Sequence, residues 1–216
     1  MSARSGVWNE RPPGIIRALP MTRLNELVTR IRACRLCEAE LPNAPRPVLQ
    51  VSASARILVA GQAPGRLVHL SGVPFDDPSG DRLREWMGID REVFYDAGRI
   101  AIVPMAFCYP GTGPNGDLPP PPRCAATWHG ALRPKLRKLG LTLVIGLHAQ
   151  RHWLGEQAED TLTATVAAWE RFGPAVLPLP HPSPRNNRWF QHNPWFERDV
   201  VPEVRRRVAA QLAVSD

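Results

Sequence analysis

Four short apolar runs punctuate the chain, each bounded by glycine or proline. They lie in ARILVAGQAPG (55–65), RIAIVPMAF (99–107), LTLVIGL (141–147) and AVLPLP (175–180). Runs of this length, closed by turn residues, read as strands buried on both faces. Between them the period changes to that of helices. Leu24, Leu27, Val28 and Ile31 recur at helical spacing after Thr22, a natural cap. DPSGDRLREWMG (77–88) reads as a capped helix closed by Gly88, and CAATWHGALRPKLRKLG (124–140) as a helix kinked at Pro134. Further helices are expected through HAQRHWLG (148–155), TLTATVAAWERFG (161–173) and the tail NPWFERDVVPEVRRRVAAQL (193–212).

Strands alternating with helices predict an α/β fold, a three-layer α/β/α sandwich around a central four-stranded parallel sheet. Residues 1–20 are expected to form a loosely ordered arm and 21–216 a single domain. Open parallel sheets bind ligands at the carboxyl ends of their strands. Here those ends carry GQAPG, AFCYPG, GLHAQ and HPSPRNN, so the unusual residues converge on one edge.

Charge narrows the class of partner. The net charge of +7 and pI near 10.0 suit a polyanion, although lysine occurs only at 135 and 138, which also suits an arginine-rich coding bias. Seven tryptophans could stack on bases or fill a core. No apolar run reaches membrane-spanning length and the N-terminus has no secretory apolar segment, so a cytoplasmic protein is expected. Disulfides are then not expected among the four cysteines. Cys34 and Cys37 form a C-x-x-C, Cys108 ends the second apolar run, and Cys124 opens a helix. This set matches the count and softness needed by a [4Fe–4S] cluster or a zinc ion; buried thiols and a redox pair are the other readings.

Taken in order, GQAPG, SGVPFDDPSG, the Cys-x-x-C…Cys…Cys set and HPSPRNN resemble the uracil-DNA glycosylase superfamily. The likeness runs from Cys34 to about Asn187 and is greatest to the iron–sulfur (family four) branch, while His-Pro-Ser-Pro-Arg-Asn is more similar to the single-strand-selective branch. The resemblance implies a uracil-DNA glycosylase-like fold and a structural [4Fe–4S] cluster on Cys34, Cys37, Cys108 and Cys124, with zinc as the alternative. It also implies a monofunctional DNA N-glycosylase, a DNA repair enzyme that flips uracil or a related deaminated base out of the helix and hydrolyses its bond to the sugar. His181 would donate to the base's O2 as negative charge develops there. Gly61, Gln62 and Ala63 would bind the base, Gln62 also serving catalysis by orienting the base or a water, and Phe75 would stack on it. Ser79 and Gly80 would hold a phosphate at a helix N-terminus. Pro182, Ser183 and Pro184 would press on the DNA backbone, with Arg185 filling the gap left by the base. Read from the residues alone, His181 caps a strand and Phe75 is a core ring.

The chain departs from the family pattern at three places. Ala63 stands where the most efficient members carry an aspartate that positions water, and Gln62 stands where the iron–sulfur branch carries glutamate. An acid from elsewhere is then needed; Asp76 and Asp77 are the candidates, Asp77 the favoured one, with helix capping as its alternative duty. Pro104 occupies the usual position of a base-reading asparagine, unless Asn115 folds back. Hypoxanthine, xanthine and 5-hydroxymethyluracil therefore join uracil as expected substrates. The expected protein is a monomer that associates with nucleoid DNA. The competing expectation is a damaged-base-binding module of the same fold with weak or absent catalysis.

Overall fold

The computed structural model describes residues 23–114 and 116–214. The expected N-terminal arm, Thr22 and Asn115 lie outside these residues. All four apolar runs are strands: β1 (Ile57–Ala60), β2 (Ile100–Ile102), β5 (Leu141–Ile145) and β6 (Val176–Leu179), with a small hairpin, β3 (Thr112–Gly113) and β4 (Gly116–Asp117), between the second and third. The four form one parallel sheet in the order β2-β1-β5-β6. Pro178 pairs across from Val144 in β6, an edge strand, where a missing N–H disturbs the ladder least.

Pleating divides the core in two. Ile57 and Val59 face one layer with Leu83, Trp86, Phe94 and Phe196, whereas Leu58 and Ala60 face the other with Leu27, Ile31, Trp128 and Leu132. Helix α1 (Leu24–Arg32) accordingly buries Leu27 and Ile31. The sheet and its two helical layers match the expected class. Trp86, Trp189 and Trp195 pack edge-to-face with Phe190 and Phe196, so these rings belong to the core.

Several local expectations need correction. The helix expected at 124–140 is α5 (Pro122–Leu132); it ends before Pro134, which sits in a 3-10 turn at Arg133–Lys135, because its ring cannot accept the preceding helical turn. Helix α7 (Leu162–Ala167) likewise gives way to a 3-10 turn at Trp169–Phe172. The C-terminal helix opens with a wide π turn (Phe196–Val200) before α9 (Val201–Leu212). Helix α6 (Leu147–Leu154) and α3 (Pro78–Met87, closed by Gly88) stand as expected. Short helices α2 (Arg66–Ser71), α4 (Arg91–Tyr95) and α8 (Asn187–His192) are additions. Among the described residues no helix is long and apolar enough to cross a membrane.

The chain leaves β1 for β2 on one side, then returns through β5 on the other. That reversal opens a crevice at the carboxyl ends of β1 and β5.

Candidate active site

A cavity of about 420 Å³ occupies this crevice, within the range of small-molecule pockets. The turn from Gly61 to Gly65, Phe75, Asp77, Ser79, Pro104, Asp117, His181 and the rim Ser183–Arg185 line it.

His181 follows edge strand β6 and is half-buried. Its Nδ1 accepts the backbone N–H of Ser183 at 3.2 Å. An acceptor Nδ1 carries no proton, so the neutral ring holds its hydrogen on Nε2. Burial pushes its pKa down to about 4, with the nearby charge of Asp117 opposing, so the ring is neutral near pH 7. The turn that follows is internally braced. Asn186 donates to the His181 carbonyl (2.7 Å), Ser183 Oγ accepts from Arg185 N–H (3.3 Å), and Arg82 of α3 donates to Asn187 Oδ1 (2.8 Å) and reaches the Ser183 carbonyl (3.4 Å). Pro182 lies buried under the rim rather than on it, leaving Ser183, Pro184 and Arg185 at the surface of the mouth.

Phe75 lies across the cavity. Its φ of +56° is left-handed, a conformation that costs a residue with a Cβ roughly 1–2 kcal/mol. Its ring rests against Gly61, where an added Cβ would stand 3.5 Å from Cζ, and meets Phe94 edge-on at 6.2 Å. Gly80 makes the turn possible: a Cβ there would stand 1.7 Å from the Phe75 carbonyl oxygen. The Gly80 N–H is taken by Asp77 Oδ1 (2.9 Å), and the residue faces Phe75 rather than the cavity. Ser79 does line the cavity.

The two neighbouring acids separate cleanly. Asp76 turns away to Arg91 (2.7 Å), a hydrogen bond that lowers its pKa, and does not line the cavity. Asp77 caps α3 and also lines the cavity, where desolvation raises its pKa despite the opposing N–H bonds of Gly80 and Ser79. Capping and a place in the site are compatible duties of its two oxygens.

Gln62 lies over Gly146, whose φ of +82° and lack of a Cβ leave room for the amide; a Cβ would stand 2.8 Å from Nε2. Ala63 contributes no polar side-chain atom. Pro104 cannot donate either, and its carbonyl accepts from the Nε2–H of buried His129 at 3.1 Å. Gln62 is thus the one side-chain amide among the described residues lining the cavity. Sequence reasoning missed the His129–Pro104 brace, Arg82 and Asp117; a polar residue in a Pro/Gly loop carries no periodic signal.

The four cysteines gather elsewhere, in a small apolar pocket also lined by Leu36, Leu41 and Phe107. Burial, with a smaller contribution from the neighbouring thiols, pushes Cys108 up to about 11 and Cys124 up to about 12. Backbone N–H groups already point at two of the sulfurs, Phe107 N–H at Cys124 Sγ (3.4 Å) and Arg46 N–H at Cys108. Among the described residues no three His, Cys, Asp or Glu side chains converge tightly enough to hold a single ion.

The family model for the uracil DNA glycosylase superfamily matches residues 49–205. That span takes in the whole sheet, Cys108, Cys124 and the cavity lining apart from Val48, and stops short of Cys34 and Cys37. Covering well over half of the chain, the match shows that this protein belongs to the uracil DNA glycosylase superfamily.

Proposed function

We propose that the protein is a monofunctional DNA glycosylase that draws uracil or a related deaminated base into this cavity and hydrolyses its bond to the sugar. The observation that carries this reading is the tautomer of His181. A neutral imidazole with Nε2–H facing the cavity is a preorganised donor for the charge that develops on the base as the bond breaks. Phe75, held in a strained turn against Gly61, supplies a stacking face for an extruded base. With Ala63 and Pro104 lacking polar side chains, base recognition falls to Gln62 and the backbone of its turn. The N–H/C=O edge that Gln62 would pair with is common to uracil and hypoxanthine. Neither Lys135 nor Lys138 lines the cavity, which favours hydrolysis over a Schiff-base lyase step.

Four thiols in one apolar pocket, two of them already receiving N–H bonds, fit a [4Fe–4S] cluster on Cys34, Cys37, Cys108 and Cys124. Zinc, which would take the same four thiolates, is the alternative occupant. The cluster would supply structural cross-linking between the chain before β1 and the loops around Cys108 and Cys124. Membership of the iron–sulfur branch is part of the same proposal.

A panel of oligonucleotides carrying uracil, hypoxanthine, xanthine or 5-hydroxymethyluracil, single- and double-stranded, tests the activity. Alkali-labile abasic sites are the expected result. Damage-dependent binding with no abasic product on any substrate would replace the enzyme with a damaged-base-binding module, the reading that the missing first-motif acids at Gln62 and Ala63 favour.

A further inference from the structure

Asp117 lines the cavity together with Asp77. It sits on β4, paired across the hairpin with Thr112, whose hydroxyl donates to Asp117 Oδ1 at 3.2 Å and is itself bonded to the Tyr109 hydroxyl. Arg185 approaches the same oxygen at 3.9 Å. The other oxygen looks inward: the point where a Cβ on Gly65 would stand is 3.5 Å from Asp117 Oδ2 and 3.9 Å from Asp77 Oδ2. Gly65 has no Cβ, so two carboxylate oxygens from separate elements face one open space beside the first-motif turn. In each acid Oδ1 is committed to structure, by Thr112 in one and Gly80 in the other.

We propose that Asp117 is a second catalytic carboxylate of this site, gripping with Asp77 the water that attacks the sugar. The inference rests on the glycosylase reading above. Ala63 removes the usual water-positioning acid, and the space beside Gly65 is where the fold supplies two replacements. In the step, the water oxygen forms a bond to the anomeric carbon and its proton passes to Asp117. The electron pair of the base–sugar bond leaves with the base, whose charge meets His181 Nε2–H. The base takes up a proton as it is released, and the sugar is left as the abasic hemiacetal. Asp117 suits the proton-accepting role because its side chain is 42% exposed and passes the proton on to solvent, whereas Asp77 is desolvated and tied to α3. The groups facing Asp117 are Asp77 across Gly65, His181 from the end of β6, Arg185 from the rim and Thr112 from its own hairpin.

The test is single-turnover excision by wild type, Asp117→Asn, Asp117→Glu and Asp77→Asn on each base of the panel, with DNA affinity measured on the same oligonucleotides. Asparagine keeps an acceptor for Thr112, so the hairpin is retained. Expected is a loss of rate for Asp117→Asn on the order of 10²-fold with unchanged affinity, and partial recovery in Asp117→Glu. An active wild type with an equally active Asp117→Asn overturns the proposal while leaving the glycosylase intact. Parallel loss of rate and affinity overturns it too, marking Asp117 as a strut of the hairpin. A wild type inactive on every base overturns the underlying reading first.

Discussion

The backbone N–H of Ser183 donates to His181 Nδ1 at 3.2 Å, which assigns the ring's single hydrogen to Nε2. Ser183 has φ of −56°, a value proline shares, so Ser183→Pro deletes that N–H without opposing the backbone. Losing one hydrogen bond worth about 1 kcal/mol should lower excision about five-fold. Ser183→Ala, which keeps the N–H, should stay near wild type. Equal rates for the two variants would contradict the assignment.

His181→Ala removes the donor itself. Single-turnover excision should fall by roughly ten-fold to a thousand-fold, the range for losing one oxyanion donor. Iron content should not change, since His181 is not among the residues lining the cysteine pocket. A variant that excises at the wild-type rate would remove His181 from the chemistry.

Gly80→Ala drives a methyl group into the Phe75 carbonyl, and backbone cannot step aside as a side chain would. A stability loss of about 1–3 kcal/mol is expected in denaturant titrations, with a matching loss of excision as Phe75 shifts. Phe75→Ala, which forces no backbone clash, should be more stable than Gly80→Ala, while its affinity for damaged DNA falls by roughly 5- to 150-fold, the worth of one stacked base. Unchanged affinity would return Phe75 to a packing role.

The purified protein should be brown, absorbing near 400 nm, with four irons per chain, and Cys108→Ser or Cys124→Ser should bleach it. A colourless protein holding one zinc would refute the cluster and the branch together.

Burial pushes His129 down to about 4, the bond to Pro104 opposing and His152 adding to the fall. Its folded pKa lies below its unfolded value of about 6.5, so protons favour the unfolded chain. The stabilisation is complete above about pH 6.5 and is lost as pH falls toward 4, by about 3 kcal/mol at most. Urea titrations at pH 7 and pH 4.5 should therefore show a smaller pH loss in His129→Gln than in wild type. Identical losses would show that His129 does not carry the dependence.

The sheet was legible because its strands are continuous apolar runs ended by Gly or Pro, a pattern that tertiary context reinforces. Motif order singled out His181, Phe75 and Gln62 as candidates, and the structure brings all three to the wall of one cavity. Asp76 and Asp77 are adjacent and chemically identical in the sequence; the bond of Asp76 to Arg91, fifteen residues on, and the cap that Asp77 places on α3 tell them apart. Asp117 was invisible because its hairpin is two residues to a strand, too short for any period. The end of α5 was misjudged because Pro134 was read as a kink where it terminates the helix.

Arg82 bridges α3 and the turn after His181 in a single span, touching Ser183 and Asn187 while its guanidinium stacks on Phe190 at 5.0 Å. Two walls of the cavity are therefore set before any nucleic acid arrives, and little ordering entropy is left for the protein to lose on binding. The slow event moves to the other molecule. On this geometry the tempo of the encounter is governed by how readily a base leaves its stack, so weakly paired lesions and frayed or single strands should be served first.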